Sequence, residues 1–297
     1  MNTFLDSLRQ PLKNGSTLIK LLYLNVGLFV LLKLGTVILL LLGVNTNSWL
    51  TYIEMPSSLQ TLWHQPWSLL TYMFLHMDFF HIFFNMLCLY WFGKLFLNFF
   101  SQKQLVGLYL LGGFGGALFY FAAYNVFPYF SDKIDQSYLL GASASIMAII
   151  LAVATASPNY SIRLFLIGDI RMKYFAGITV LISMLSMAGD NAGGEFAHLG
   201  GALVGFLYAY FLNRGTDLSK PINQFIDWLV TIFKSKPHFQ IKRSKKIRPV
   251  KSDAEYNQSK VKKEAELDKI LDKIKHSGYE TLSAKEKQRL FDQSQSL

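Results

Sequence analysis

The chain has 297 residues, of which 52% are hydrophobic, 15% aromatic and only 16% charged, against roughly a quarter charged in an average soluble domain. A chain this long builds an ordinary soluble core without such a surplus, so the composition points to lipid exposure and excludes a simple soluble domain. The net charge of +10 comes mainly from Lys and Arg after Arg214, in a segment that directly follows apolar runs; that placement favours the anionic face of a bilayer over nucleic acid as its partner.

Met1 to Lys20 is polar, and the first apolar run is too long for a signal-peptide core, so no cleavable signal peptide is expected. The single cysteine, Cys88, rules out an intrachain disulfide framework. A membrane-crossing helix needs about 20 mostly apolar residues, and six runs qualify in chain order: 21–44, 81–100, 105–127, 139–157, 174–189 and 196–212, the last two on the short side. The expected fold class is therefore all-α, a polytopic six-helix membrane bundle. Its expected parts are an N-terminal segment 1–20, a membrane domain 21–213 and a basic tail 214–297.

Retained loops carry the excess of Lys and Arg. Arg9, Lys13 and Lys20 precede the first run, Lys103 lies between the second and third, and Arg163, Arg171 and Lys173 lie between the fourth and fifth. The alternate connections have almost none, so both termini and the tail are expected to be cytoplasmic. Lys33 breaks the pattern midway along the first run, where a charge costs about 3 kcal/mol on insertion scales; snorkelling or pairing inside the bundle is expected. The outer loop 45–75 mixes Trp49, Tyr52, Trp63, Trp67 and Tyr72 with few charges, a composition suited to the headgroup level, where it would brace the bundle or steer a substrate.

Past the sixth run, Pro221 opens a stretch with Ile222, Phe225, Ile226, Leu229 and Phe233 at helical spacing, followed by Lys and Arg from Lys234 to Lys251. This predicts a helix lying on the cytoplasmic leaflet beside a polybasic segment that contacts anionic lipid. Farther on, Leu267, Ile270, Leu271 and Ile274 share a helical face, Gly278 is a stop, and Ser283 with Glu286 forms a capping box. A small helical hairpin is expected there.

Polar residues within apolar runs are the candidates for chemistry. His81 and Asn85, four apart, share one helical face, and His76 lies just before them. Metal ligation, a hydrogen-bonded cluster tying helices together and a catalytic role all remain open for this segment; the spacing of His76 and His81 does not aim two imidazoles together from a helix. The fourth run carries Gly141, Ser143 and Ser145 near its start, and His198 sits near the start of the sixth, beside Ala197, Gly200 and Gly201. Acyl transfer needs a nucleophile, a base and donors for the oxyanion. Ser143 supplies the first, His198 the second, and His81, Asn85 and the Ser143 backbone N–H the third. The charge count brings the starts of the second, fourth and sixth runs to the same outer side. Gly201 and Gly205 form a small-residue face that we read as packing within the chain.

Together, the H-x4-H-x3-N pattern of His76, His81 and Asn85, Gly141 with Ser143, and the AHxxG of Ala197, His198 and Gly201 resemble the rhomboid family of intramembrane serine proteases over roughly residues 20–212. The resemblance implies a rhomboid-like bundle with a cavity open to the outer face and a Ser143/His198 dyad lacking a third acid. His76, Gly141, Ala197 and Gly201 would support the site. It implies no metal or cofactor, transmembrane proteins as substrates, and hydrolysis of a peptide bond in or near a membrane-spanning helix. The rival reading is a non-proteolytic rhomboid-like protein that binds or remodels membrane proteins. Ala144, Met147 and Ser68 depart from residues common in the family. The compact plan suggests a bacterial plasma membrane; oligomeric state and substrate are not legible.

Overall fold

In a computed structural model, residues 15–44, 49–164, 168–233 and 253–294 are described. Arg9, Lys13 and the polybasic stretch from Lys234 to Lys251 lie outside them. The chain divides into two compact units, 1–235 and 236–297.

The first unit contains six long apolar stretches folded as helices: α1 (Thr17–Leu41) and, after the short outer helices α2 (Leu59–His64) and α3 (Ser68–Thr71), α4 (Phe79–Phe96), α5 (Gln102–Val126), α6 (Ser143–Ala156), α7 (Met172–Leu185) and α8 (Ala192–Leu212). Among the described residues, α1, α4, α5 and α8 are long and apolar enough to cross a membrane. The other two have 14 residues each, about 21 Å at the helical rise, against roughly 30 Å of hydrocarbon. Among the described residues the short helices are thus those of the fourth and fifth runs, while the sixth, expected to be short, reaches spanning length.

The fourth run explains its own shortening. Leu139 and Tyr138 form β2 (Tyr138–Leu139), paired antiparallel with β1 (Met55–Pro56) of the outer loop. Gly141 turns with φ +129°, a region open to glycine, and its N–H donates to the Tyr72 carbonyl at 2.9 Å. The helix therefore begins at Ser143 itself. Irregular backbone is tolerated at membrane depth where it lines a cavity, and this turn does. The loop is also tied within itself: the Trp67 indole N–H donates to the Tyr52 carbonyl at 2.7 Å, and Gln65 donates to the Thr51 carbonyl at 3.0 Å. Ser68 is fully buried beside Met55.

Helix caps are written locally. Asp78 caps α4 by accepting from the His81 N–H at 2.9 Å, and Ser101 with Gln104 forms a reciprocal box at the start of α5. At the centre α5, α6 and α8 approach through small residues. A Cβ on Gly201 would collide with the Ala144 carbonyl oxygen, one on Gly205 with that of Ala148, and one on Gly200 with that of Gly115. The small-residue face of the sixth run is thus used for packing within the chain.

By contrast, α1 packs only near its start, through Leu18, Leu21 and Asn25. Beyond these its apolar side chains are largely uncovered, Leu31 at 66% and Leu41 at 82% exposure. Lys33 belongs to this uncovered part, with its Nζ 5.9 Å from the Phe29 ring centroid; no carboxylate pairs with it among the described residues, so pairing inside the bundle is ruled out there. Between α6 and α7, β3 (Ser161–Leu164) and β4 (Gly168–Arg171) form an antiparallel hairpin that apolar periodicity did not reveal.

The predicted interfacial helix is α9 (Lys220–Phe233). Ile222, Ile226 and Leu229 are half-buried, and Asp227 pairs with Lys103 at 2.7 Å, which ties α9 to α5 and extends the first unit past residue 213. Phe225 and Trp228, stacked at 5.7 Å, stay exposed.

In the second unit α10 (Asp253–Ser277) and α11 (Ala284–Ser294) form the expected hairpin. Gly278 ends α10 at φ +83°, and Ile270 and Leu282 are buried. Leu271 is instead exposed at 48%, because Ile270 and the half-buried Leu267 and Ile274 already fill that face. The cap is present: the Ser283 N–H donates to Glu286 at 2.7 Å and the Glu286 N–H to Ser283 Oγ at 3.4 Å. The Ser283 hydroxyl, which donates to the carboxylate at 2.7 Å, the Ser283 N–H and Lys273 at 3.1 Å hold the Glu286 carboxyl down at about 2. A carboxyl depressed on folding stabilises above its unfolded value of about 4.3 and loses that contribution as pH falls towards the folded value. Protection factors of the first-turn amides of α11 should therefore fall between about pH 4 and about pH 2; constant protection across that window would mean the box does not hold the helix end.

Candidate active site

Each candidate residue sits at or near the N-terminal end of its helix: His81 and Asn85 on α4, Ser143 on α6, His198 on α8. All four line one cavity of about 970 Å³. The contact of Gly201 and Gly205 with α6 brings the starts of α6 and α8 together, so backbone approach builds the site.

Ser143 is the first residue of α6, where the free N–H groups of the first turn and the positive end of the helix dipole favour developing negative charge. A Cβ on Gly141 would lie 3.0 Å from His81 Nε2 and 3.7 Å from Ser143 Oγ, so both atoms border the same small space. His81 Nδ1 accepts the Met77 N–H at 3.4 Å, which assigns the neutral ring's proton to Nε2, the atom facing that space. Asn85 donates one amide N–H to the His81 carbonyl at 2.9 Å and retains a second donor at the cavity wall.

His76 does not line the cavity. It is buried and meets His81 edge-on, with ring centroids 5.1 Å apart. Burial, with the neighbouring His81 ring, pushes His76 down to about 4, so it packs as a neutral ring behind His81. An edge-on pair is not a chelating one, and among the described residues no group of three His, Cys, Asp or Glu is arranged to hold a metal.

His198 is half-buried on the cavity wall. Among the described residues no hydrogen bond joins it to Ser143. Its Nδ1 instead lies 3.1 Å from Glu195 Oε2 and 3.3 Å from Ser183 Oγ. Neither partner was identified from the sequence, and the Glu195 carboxylate departs from the dyad without an acid that the resemblance implies. The signal was present: Glu195 precedes His198 by three on a helix, hence on the same face. Met147, one turn after Ser143, lines the cavity where an aromatic ring is common in the family. Ala197 is buried at the helix contact, its carbonyl close to Gly116.

Residues 63–215 match the family model described as Rhomboid domain, and residues 251–296 match a family of unknown function, DUF6576. The chain is similar to presenilin-associated rhomboid-like protein A, mitochondrial, of Danio rerio, 33% identical over 139 residues, covering 46% of this chain and 34% of that one. RHOMBOID-like protein 12, mitochondrial, of Arabidopsis thaliana is 33% identical over 149 residues, 46% and 44% of the two chains. The human presenilin-associated rhomboid-like protein, mitochondrial, is 30% identical over 144 residues, 46% and 36%. The chain thus matches between a third and a half of the length of these relatives.

Proposed function

Since this chain belongs to the rhomboid family, we propose that it is an intramembrane serine endopeptidase acting on transmembrane segments of other proteins. The observation that carries this reading is the shared cavity: a serine at a helix N-terminus, a histidine on the facing helix, and donors from His81 and Asn85 border one space. In the proposed reaction His198 Nε2 takes the Ser143 proton as Oγ attacks the scissile carbonyl. The oxyanion rests on the Ser143 N–H, His81 Nε2–H and the free Asn85 amide proton. The leaving amine takes the proton from His198, and a water activated by the same ring then hydrolyses the acyl-enzyme. A substrate helix has to open locally to present its carbonyl, because in lipid its backbone is fully hydrogen-bonded.

In this reading all six apolar helices cross the membrane, the short α6 and α7 thinning the bilayer around them. Both termini lie on the positive inner side, and α9 with the basic segment after it rests on anionic lipid. The relatives are mitochondrial by name, so they lend nothing to a bacterial plasma membrane; what carries over is a multi-pass membrane protein.

A second reading is a non-proteolytic rhomboid-like protein that binds membrane proteins. Two observations favour it: the absent Ser143–His198 hydrogen bond among the described residues, and relatives whose names record association with presenilin. The first weighs little, since catalytic hydrogen bonds are commonly open until substrate binds. A fluorophosphonate probe separates the two. Labelling of the folded protein that disappears in Ser143→Ala supports the enzyme; folded wild type that never labels puts the binding reading first.

A further inference from the structure

Ser143 needs His198 with Nε2 unprotonated, so the single proton of the neutral ring has to sit on Nδ1. What fixes that proton is the question the geometry around Nδ1 answers. Two groups reach the atom, Glu195 Oε2 at 3.1 Å and Ser183 Oγ at 3.3 Å. A hydroxyl is ambivalent: it accepts from Nδ1–H or donates to a bare Nδ1, and so permits either tautomer. An ionised carboxylate only accepts. With Glu195 in place, a protonated Nδ1 gains a charge-assisted bond while a bare Nδ1 faces a lone pair, and the side chain is 14% exposed, which limits screening by water.

Resting on the protease reading above, we propose that Glu195 is a positioning residue that holds His198 in the Nδ1–H tautomer, with Nε2 directed at Ser143, and stabilises the imidazolium formed during acylation. Glu195 does not line the cavity, so it acts through His198 and not on substrate. Its place three residues earlier on α8 makes the arrangement local. Ser183, buried on α7, adds a contact from a second helix that fixes the ring plane.

The test combines a spectroscopic and a kinetic measurement on the full-length protein in detergent, with Glu195→Gln as the central variant because it keeps the shape of the side chain. Its amide can donate as well as accept, so the selection is lost while the packing remains. With ¹⁵N-labelled histidine at about pH 8.5, above the ordinary imidazole pKa, His198 of the wild type, assigned by loss of its signals in His198→Ala, should show a protonated Nδ1 and a bare Nε2. Glu195→Gln should show a mixture or the opposite tautomer, and Ser183→Ala the wild-type pattern. On a model transmembrane substrate, Glu195→Gln should lower kcat about tenfold or more with KM within about twofold. A wild-type His198 protonated on Nε2, a Glu195→Gln spectrum or kcat equal to wild type, or loss of the Nδ1–H form in Ser183→Ala alone each overturns the assignment. A wild type that cleaves no substrate and takes no serine probe overturns the protease reading instead, and the tautomer then decides the role of Glu195 separately.

Discussion

Cleavage of a model transmembrane substrate in liposomes should fall at least about 10³-fold when Ser143 is replaced by alanine, and by a similar factor in His198→Ala. The reason lies in shared function. Without the serine there is no acyl-enzyme, and without the imidazole the hydroxyl keeps its proton. Residues acting as a unit lose activity together, so the double variant should be no worse than either single one. Ser143→Ala removes no packing element: its side chain borders the cavity and its position accepts alanine in a helix. Thermal unfolding of Ser143→Ala should therefore stay close to wild type, which separates loss of chemistry from loss of fold, whereas His198→Ala should unfold at a lower temperature because it leaves the largely buried Glu195 carboxylate without its partner. Ser143→Ala protein that cuts as fast as wild type would end the serine mechanism and leave the binding-protein reading in possession.

Gly201→Val should do its damage by the opposite route. The new side chain meets the Ala144 carbonyl on the neighbouring helix, and a backbone oxygen inside a helix cannot swing away as a flexible side chain would. Lipid supplies no hydrophobic drive to force helices together, so close van der Waals approach is what holds α8 against α6. Separating them should cost about 3 kcal/mol, the upper end for overpacking. Activity should collapse with it, because the same contact aligns the ends that carry Ser143 and His198. Gly177→Val is the control: on α7 nothing lies within 4 Å of a Cβ there, so that variant should unfold near the wild-type temperature. Equal midpoints for Gly201→Val and Gly177→Val in detergent would show that the α6–α8 approach is not tight.

Apolar runs made the helices legible because in lipid the run itself is the signal, and the caps at Ser101 and Ser283 were local enough to read or to recognise afterwards. The start of α6 was not legible. Whether Leu139 is helix or strand is decided by Met55 and Pro56, far away in the chain, and no window around Leu139 contains that information. For Lys33 the sequence leaves snorkelling and pairing inside the bundle both open; its helix is packed only at its beginning, which depends on how the other helices fill the centre. In the site, Ser143, His198, His81 and Asn85 stood out because polarity in an apolar run is conspicuous. Glu195 did not, since it falls at the edge of a loop just before the sixth apolar run, where a charged residue is ordinary. Its meaning comes from where α8 begins: the helix starts at Ala192, which puts Glu195 on the same face as the histidine it touches.

The tight contact between α6 and α8 also sets an order of events during synthesis. The serine enters the membrane with α6, but its histidine follows only after the β3–β4 hairpin and α7 have been made. Until α8 has been made, Ser143 lacks the helix that walls its cavity and, on the protease reading, its base. On the protease reading proposed above, the unfinished chain would be inert towards the other nascent membrane proteins around it, and reactivity would arrive in one step with the last helix of the bundle.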